Sequence, residues 1–286
     1  MQPGEYQGKD MKSVLLIDED PGLHDLALRA LKGEDYRVWW TPNIESVVDL
    51  LAELPVDLII ADYAGPELGD QNVIKVLQRI KPKRKLVLTI AHGTPDRVLQ
   101  ALRARVCDFL IRPFKPEELR RVIDSAISGC PAQAIEVISA QPEWVELRVP
   151  CDRAAFSPLQ RLLDELDADV PPELAEAINY AFSEMLGNAM EHGGKLDPEQ
   201  RVTVNILRLK HAVICRIKDP GNGFDPSQLE HAAVSNPGGD PLHHAGVREE
   251  KGLRPGGFGI LLTKQLVDEL VYNERHNELM FVKFLS

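Results

Sequence analysis

From Lys12 to about Gly129, short apolar runs alternate with amphipathic stretches, and this alternation limits the possible folds more than any other feature of the sequence. The strand-like runs are Ser13–Ile17, Tyr36–Trp40, Asp57–Ala61, Lys85–Ile90 and Val106–Ile111. The helix-like stretches between and after them are Leu23–Leu31, Ile44–Leu54, Val73–Ile80, Arg97–Ala104 and Glu117–Ile127. Five strand–helix units in succession predict an α/β fold with a doubly wound, five-stranded parallel sheet. The site of such a fold is expected at the carboxyl ends of its strands.

The alternation stops near Gly129-Cys130-Pro131, and the element order then changes. The elements predicted after it are strands Ile135–Ser139 and Glu143–Val149, helices Ala154–Leu166 and Pro172–His192, strands Arg201–Lys210 and Ala212–Lys218, helix Ile260–Leu270 and a strand near Leu279–Phe284. This order predicts an α+β sandwich. The long loop from Pro220 to Gly257 is typical of a lid or binding element. We therefore expect two domains, 12–129 and 130–286.

Composition excludes several classes of protein. The chain has 286 residues, of which 44% are hydrophobic and 27% charged, as in a soluble globular protein. Its formal net charge of -11 argues against direct binding of nucleic acid, which needs a basic surface. Four scattered cysteines without zinc-type spacing predict a reducing compartment rather than a disulfide framework. No secretory leader or membrane-length apolar run is recognisable, so a cytoplasmic protein without membrane contact is expected.

Acidic residues end two of the predicted strands. The first strand runs into Asp18-Glu19-Asp20, and the third runs into Asp62. In a doubly wound sheet these strand ends are neighbours, so the carboxylates are expected to share one small site. Like charges at close range repel unless a cation lies among them, and oxygen ligands favour Mg²⁺. Taken singly, each acid could equally be a turn residue or a helix cap, but their joint placement favours a metal site.

Four stretches of the first half resemble the response-regulator receiver family, and the resemblance covers residues 12–128. They are VLLIDEDP (Val14–Pro21), DLIIADYAGPELG (Asp57–Gly69), AHG (Ala91–Gly93) and CDFLIRPFKPEEL (Cys107–Leu119). The resemblance implies that Asp62, followed by Pro66, accepts a phosphoryl group from an upstream histidine kinase. It further implies that Asp18 and Glu19 hold Mg²⁺ together with Asp62, and that Phe109 changes position on activation. A metal-neutralised carboxylate can attack a phosphoryl group with little further help.

Two positions depart from the receiver pattern. Arg112 stands where the family has a lysine before Pro-Phe, and its planar fork can pair with a phosphate in a different geometry. Ile90 stands before Ala91 where the family has Thr or Ser, and Thr89, one residue early, is expected to face the opposite side of the strand. Ile90 cannot donate the hydroxyl hydrogen bond that couples phosphorylation to the switch. Two alternatives follow: phosphorylation at Asp62, with Arg112 in the catalytic site but with weak signalling, or regulation through partner binding.

Three motifs of the second half have the residue types of a nucleotide site. Glu184, Asn188 and His192 recur every four residues on a predicted helix, and Asn is a poor helix-interior residue unless it has a role. The turn Asp219-Pro220-Gly221-Asn222-Gly223 permits close approach of a ligand to the backbone. The segment Gly256-Gly257-Phe258-Gly259 opens a helix, where free N–H groups can bind an anion. Singly, these motifs could be a solvated stripe, a tight turn and a helix cap.

In this order and spacing the three motifs resemble the Bergerat ATP-binding fold shared by gyrase, histidine kinases and anti-sigma serine kinases, over residues 133–286. The resemblance implies that ATP and Mg²⁺ bind here, that Asn188 coordinates the metal and that Asp219 accepts a hydrogen bond from the adenine amine. The nucleotide-binding residues that it implies are Asn188, His192, Asp219, Gly221, Gly223, Gly256, Gly257 and Gly259.

Among the branches of this superfamily, the anti-sigma serine kinases fit best. A histidine kinase needs a two-helix hairpin with a phosphorylatable His, and the segment between Gly129 and Ile135 is too short for one. The resemblance implies that Glu184 is the general base that deprotonates a substrate serine. The alternative is that Glu184 only orients water or supports the metal. The lid residues Arg248, Lys251 and Arg254 could meet the γ-phosphate or be solvated charges.

The two resemblances together predict a response regulator with an ATP-dependent output domain. Its expected partners are an upstream histidine kinase and either an antagonist protein with a phosphorylatable serine or a sigma factor. A non-catalytic ATP-binding adaptor that acts by partner exchange is the alternative. Homodimers are also expected from both resemblances, although neither indicates which surface would form them.

Overall fold

A computed structural model describes residues 11–33, 35–44, 46–63, 73–80, 85–91, 93–130, 135–141, 143–223 and 258–285. The chain divides into two compact units, Met1–Cys130 and Pro131–Ser286, and each is described by itself. Within the described ranges, no helix has both the length and the apolar character needed to span a membrane.

The first unit contains a five-stranded parallel sheet with strand order β2-β1-β3-β4-β5. Its strands are β1 (Lys12–Ile17), β2 (Tyr36–Thr41), β3 (Leu58–Tyr63), β4 (Lys85–Ile90) and β5 (Asp108–Ile111). Its helices are α1 (Pro21–Ala30), α2 (Val47–Glu53), α3 (Val73–Ile80), α4 (Pro95–Arg103) and α5 (Pro116–Ser128). The strands are nearly continuous apolar runs because helices cover both faces of a doubly wound sheet. The predicted fold class is confirmed.

The helices of the first unit begin where local chemistry favours a helix start. The Asp20 side chain accepts a hydrogen bond from the Gly22 N–H and caps α1. The Thr94 hydroxyl caps α4 in the same way, and a proline takes the first position of α1, α4 and α5. Strand β1 therefore passes into α1 within three residues, which holds Asp18 at the carboxyl edge of the sheet.

The second unit contains a six-stranded antiparallel sheet with strand order β10-β11-β9-β8-β7-β6. Its strands are β6 (Glu136–Gln141), β7 (Trp144–Pro150), β8 (Arg201–Leu209), β9 (Ala212–Lys218), β10 (Glu269–Tyr272) and β11 (Glu278–Phe284). Its helices are α6 (Phe156–Leu166), α7 (Pro172–Asn188) and α8 (Gly259–Leu266), and α7 packs against the other two. Side chains alternate between buried and exposed along β7 and β9, as expected when one face of a sheet carries the helices.

Two predicted helix ends were wrong. The last helix was expected to reach Leu270, but it ends at Leu266, and β10 follows because Glu269–Tyr272 pairs with β11. The helix predicted to reach His192 ends at Asn188 and continues as a wider π turn, Ala189–Gly193. At Glu269–Tyr272, strand pairing replaces the local helical periodicity. At Ala189–Gly193, the wider π turn replaces it.

The cysteines of the first unit contradict the sequence-based expectation of unpaired thiols. Cys107, just before β5, and Cys130, just after α5, form a disulfide bond, whereas Cys151 and Cys215 are free and buried. The pairing could not be recognised from spacing, because strand β5 and helix α5 separate the two residues by 23 positions.

A buried carboxylate of the second unit lies close to Arg208 of strand β8. Asp167 follows α6 directly and is 3% exposed, and its nearest described cation is the Arg208 guanidinium, 3.5 Å from Oδ1 to Nε. Neither carboxylate oxygen has a hydrogen-bond partner among the described residues. Burial, opposed by Arg208 and reinforced by Asp169, raises the pKa of Asp167 to about 6.

Asp167→Asn is expected to stabilise the second unit above pH 6. The folded-state pKa exceeds the ordinary value of 3.8, so the folded protein binds the proton more tightly and loses stability as pH rises from about 4 to about 6. A pKa gap of about two corresponds to about 3 kcal/mol of unfolding free energy at pH 8. Urea unfolding at pH 5 and pH 8 measures it, with Glu176→Gln, an exposed acid on α7, as the matched control. A variant less stable than the parent at pH 8 would contradict this.

Candidate functional site

The carboxyl edge of the parallel sheet brings two acids together. Asp18 follows β1 directly and is 5% exposed, and Asp62 is the fifth residue of β3 and is half-buried. Strand β1 pairs with β3 in parallel, and Asp62 is in register with Thr89 of β4. The sequence predicted this meeting of strand ends from the fold alone.

Arg112, the residue after β5, inserts its guanidinium among these acids. Nη2 donates to Asp18 Oδ2 in a very short contact, lies 3.4 Å from Asp62 Oδ1 and donates to Thr89 Oγ1 at 3.1 Å. Nη1 lies 3.6 Å from Asp20 Oδ2. One guanidinium therefore contacts four polar side chains of the site.

Thr89 faces the site, which corrects the expectation that it points away. Its hydroxyl donates to Asp62 Oδ1 at 3.3 Å, and its side chain is fully buried. Thr89 and Asp62 are in-register partners, so both side chains lie on the same side of the sheet, whereas Ile90 is buried on the other. Counting residues back from Ala91 along β4 gave the wrong side for Thr89. Its orientation follows from its pairing with Asp62 on β3. The hydroxyl that Ile90 lacks is thus present one residue earlier.

The groups around Asp62 shift its pKa in opposite directions. Burial and then the Asp18 charge raise the pKa of Asp62, while Arg112 and the Thr89 hydroxyl lower it. Glu19, predicted as a metal ligand, is exposed, and Asp20 rather than Glu19 approaches Arg112. In the part of the chain that the structure describes, no three acidic, His or Cys side chains form a preformed metal cluster. Phe109 is fully buried in β5, and Pro66 lies outside the described residues.

The second candidate site is built around helix α7. Glu184 and Asn188 are half-buried on this helix, one turn apart, and His192 is exposed on the π turn that follows. The neighbouring face of α7 is buried through Ala177, Ile178, Ala181, Phe182, Met185 and Leu186. This apolar face fixes the helix in the core, and the stripe with Glu184 and Asn188 runs along its border.

The loop after β9 is held by a two-point contact with the β10–β11 hairpin. The Asp219 N–H donates to the Asn277 carbonyl at 3.0 Å, and Asn277 Nδ2 donates to the Gly221 carbonyl at 3.1 Å. Asp219 Oδ1 accepts the Gly221 N–H at 2.7 Å. Gly223 has φ of 86° and lies against the Arg275 carbonyl, where a Cβ would collide. Burial raises the pKa of Asp219, and the Gly221 N–H lowers it.

Two glycines bring the three motifs into contact. A Cβ at Gly193 would collide with the Asp219 side chain, so the end of α7 touches the Asp219 loop. A Cβ at Gly259 would collide with the Glu184 carboxylate, so the start of α8 lies against α7. The structure thus places Asp219 against the turn that follows α7 and Gly259 against Glu184 within α7, so both glycine motifs border this helix, which their spacing could not show. Gly256, Gly257 and the basic lid residues lie outside the described residues.

Two residues of this region were missed from the sequence. Gly193 stands in the sequence His192-Gly193-Gly194, whose glycine pair after a predicted helix was the available signal. Asn277 lies in a hairpin far along the chain, and no local pattern marks it, because its role depends on contact with the Asp219 loop.

Comparison with known proteins agrees with this division of the chain. Residues 14–124 match the model of the response regulator receiver domain, and residues 149–283 match that of a histidine kinase-like ATPase domain. The DNA-binding response regulator MtrA of Mycolicibacterium smegmatis is 26% identical over 210 residues, which are 73% of this chain and 90% of MtrA. The transcriptional regulatory protein GlrR of Escherichia coli K12 is 29% identical over 114 residues, 40% of this chain but only 26% of GlrR.

Among solved structures, a response regulator from Thermotoga maritima aligns with a TM-score of 0.38 and 21% identity, covering 42% of this chain and 99% of that chain. A CheY-like receiver domain protein from Methanospirillum hungatei aligns with a TM-score of 0.37 and 18% identity, covering 42% and 95% respectively. The family models establish the domain composition of the chain, and the parallel sheet and the antiparallel sheet with its helices agree with them. It joins a response regulator receiver domain to a histidine kinase-like ATPase domain.

Proposed function

We propose that the chain is a phospho-aspartate response regulator whose output is an ATP·Mg²⁺-dependent protein serine kinase of the anti-sigma type. Asp62 receives the phosphoryl group from a histidine kinase, and the second unit then phosphorylates a serine of an antagonist protein or sequesters a sigma factor. The observation that carries the proposal is the packing of both glycine motifs along one helix: Asp219 lies against Gly193 just after α7, and Gly259 lies against Glu184 within it. Such a function places the protein in the cytoplasm, because ATP and the phosphoryl-donating histidine kinase are both available there.

The residues of the second unit support nucleotide binding. Asp219 keeps one oxygen on the Gly221 N–H and is half-buried, so it can accept a hydrogen bond from an amine of the ligand. The backbone at Gly221 and Gly223 lies close to its neighbours and leaves no side chain in the way. The amide oxygen of Asn188 is a ligand type that suits Mg²⁺.

In this proposal Glu184 is the general base. Its carboxylate is half-buried on α7, one turn before Asn188, and lies against the backbone of Gly259 at the start of α8. A carboxylate beside the metal-binding asparagine could take the proton from an incoming serine hydroxyl as the γ-phosphoryl group is transferred.

Glu184→Gln tests the enzyme proposal. The amide cannot accept the proton, so transfer of the γ-phosphoryl group to serine-bearing antagonist proteins should fall by about 10²–10⁴-fold, while ATP affinity is retained. Radiolabelled transfer to a panel of purified antagonist proteins and calorimetric ATP binding measure the two quantities. Glu191→Gln is the matched control. It makes the same chemical change to a carboxylate just after α7, one that pairs with Arg153 at 2.9 Å and has no role in the proposed transfer.

Two outcomes of this experiment separate the candidates. Transfer by the parent chain that survives unchanged in Glu184→Gln would show that Glu184 is not the base. ATP binding by the parent without transfer to any protein of the panel would favour the adaptor function, in which the nucleotide is a structural ligand and partner exchange carries the signal.

A further inference from the structure

The acid site of the first unit already contains a cation, the guanidinium of Arg112. This group contacts Asp18, which the receiver resemblance assigns to the metal, and Asp62, which the proposed function assigns to the phosphoryl group. It also donates to Thr89 and approaches Asp20. Asp18 is almost fully buried, and a buried carboxylate beside a second carboxylate is unfavourable without a positive partner.

The contacts engage three of the four carboxylate oxygens of Asp18 and Asp62. Asp18 Oδ1 accepts the Asp20 N–H at 2.8 Å, and Asp18 Oδ2 accepts from Arg112. Asp62 Oδ1 is shared between Thr89 and Arg112. Carboxylate oxygens suit Mg²⁺, so the donor chemistry of the site fits the metal. A hard cation bound to these oxygens and the guanidinium cannot occupy the space between Asp18 and Asp62 together.

We propose that Arg112 is an internal competitor of the divalent cation, so that the receiver binds the metal only when the guanidinium leaves Asp18 and Asp62. Arginine suits this role better than lysine, because its planar group presents several donors to several acceptors at once. The guanidinium offers Asp18 and Asp62 a positive partner from within the chain, so the metal affinity is set by Arg112. This inference rests on the proposed function, in which Asp62 is phosphorylated, and on the metal site that the receiver resemblance implies at Asp18 and Asp62.

Trp40 provides a direct readout of the cation. Its indole Nε1 donates to the backbone carbonyl of Asp18 at 3.0 Å, and its ring stacks on His24 at a centroid distance of 5.8 Å. A cation on Asp18 changes the electrostatic surroundings of this indole. Trp40→Phe identifies the part of the fluorescence change that comes from this residue, because the chain also contains Trp39 and Trp144.

The test is a titration of the full chain, without nucleotide, with MgCl₂ and with MnCl₂. Trp40 fluorescence and the electron paramagnetic resonance of free Mn²⁺ report binding. Arg112→Ala is expected to bind each cation about tenfold more tightly or better than the parent, with Arg112→Lys between them. Arg120→Ala, which removes a surface pair with Asp124 on α5, should match the parent.

Equal or weaker cation binding by Arg112→Ala would overturn the inference, and so would the absence of binding in all these proteins. Circular dichroism shows whether Arg112→Ala is folded, and if it is not, Arg112→Lys carries the test. Phosphorylation of the parent by acetyl phosphate is followed separately. A parent that binds Mg²⁺ and is phosphorylated, with no gain in the variants, would overturn this inference and leave the proposed function intact.

Discussion

Asp219→Asn is expected to weaken ATP binding by about a hundredfold or more. The substitution is isosteric. In the parent, the Gly221 N–H that holds the loop donates to Asp219 Oδ1 at 2.7 Å, and Oδ1 of the asparagine can still accept it. The other oxygen becomes an NH₂ group, which would face the adenine amine with two donors and no acceptor. An unpaired polar contact of this kind costs about 1–3 kcal/mol, and loss of the carboxylate charge adds to it.

Calorimetric titration with ATP measures this effect, and two further variants show its origin. Asp197→Asn alters an exposed acid and should bind like the parent. Asn277→Ala removes the side-chain contact to the Gly221 carbonyl and leaves Asp219 itself intact, so we expect a smaller loss of about tenfold. ATP binding by Asp219→Asn within a small factor of the parent would remove the adenine assignment.

Asp62→Asn is expected to abolish phosphorylation of the first unit by acetyl phosphate. In the proposed reaction, a carboxylate oxygen of Asp62 forms the bond to phosphorus while acetate leaves, and an amide cannot form the same acyl phosphate. The residues around it remain, because Thr89 and Arg112 can still contact the amide oxygen. Any change is therefore attributable to the reacting group itself.

Intact-mass spectrometry of the full chain, with and without acetyl phosphate, measures the added phosphoryl group. Asp25→Asn, an exposed acid on α1, is the matched control and should be modified like the parent. Modification of Asp62→Asn to the same extent as the parent would show that another residue carries the phosphoryl group.

The parallel sheet and its acid edge were predictable because both depend on local patterns. Five apolar runs and their helices give the fold, and the fold alone brings Asp18 and Asp62 together. The orientation of Thr89 was not predictable by counting along one strand, since it is set by its pairing with Asp62 on the next. The same applies to the disulfide between Cys107 and Cys130, which depends on where α5 ends.

In the second unit, the motifs were visible in the sequence but their contacts were not. The stripe with Glu184 and Asn188 follows from helical spacing. The approach of Gly259 to Glu184 is a tertiary contact between distant segments, which no local spacing encodes. Strand β10 was missed because its four residues continue the apolar pattern of the preceding helix, and only its pairing with β11 identifies it.

In the proposed function, an aspartate switch in the first unit controls an ATP site in the second. The most direct test is calorimetric titration of the full chain with ATP and Mg²⁺, before and after phosphorylation by acetyl phosphate, with Asp62→Asn treated in parallel. Phosphorylation is expected to change the ATP dissociation constant by about fivefold or more in the parent and to leave that of Asp62→Asn unchanged. Equal dissociation constants in the phosphorylated and unphosphorylated parent would contradict it.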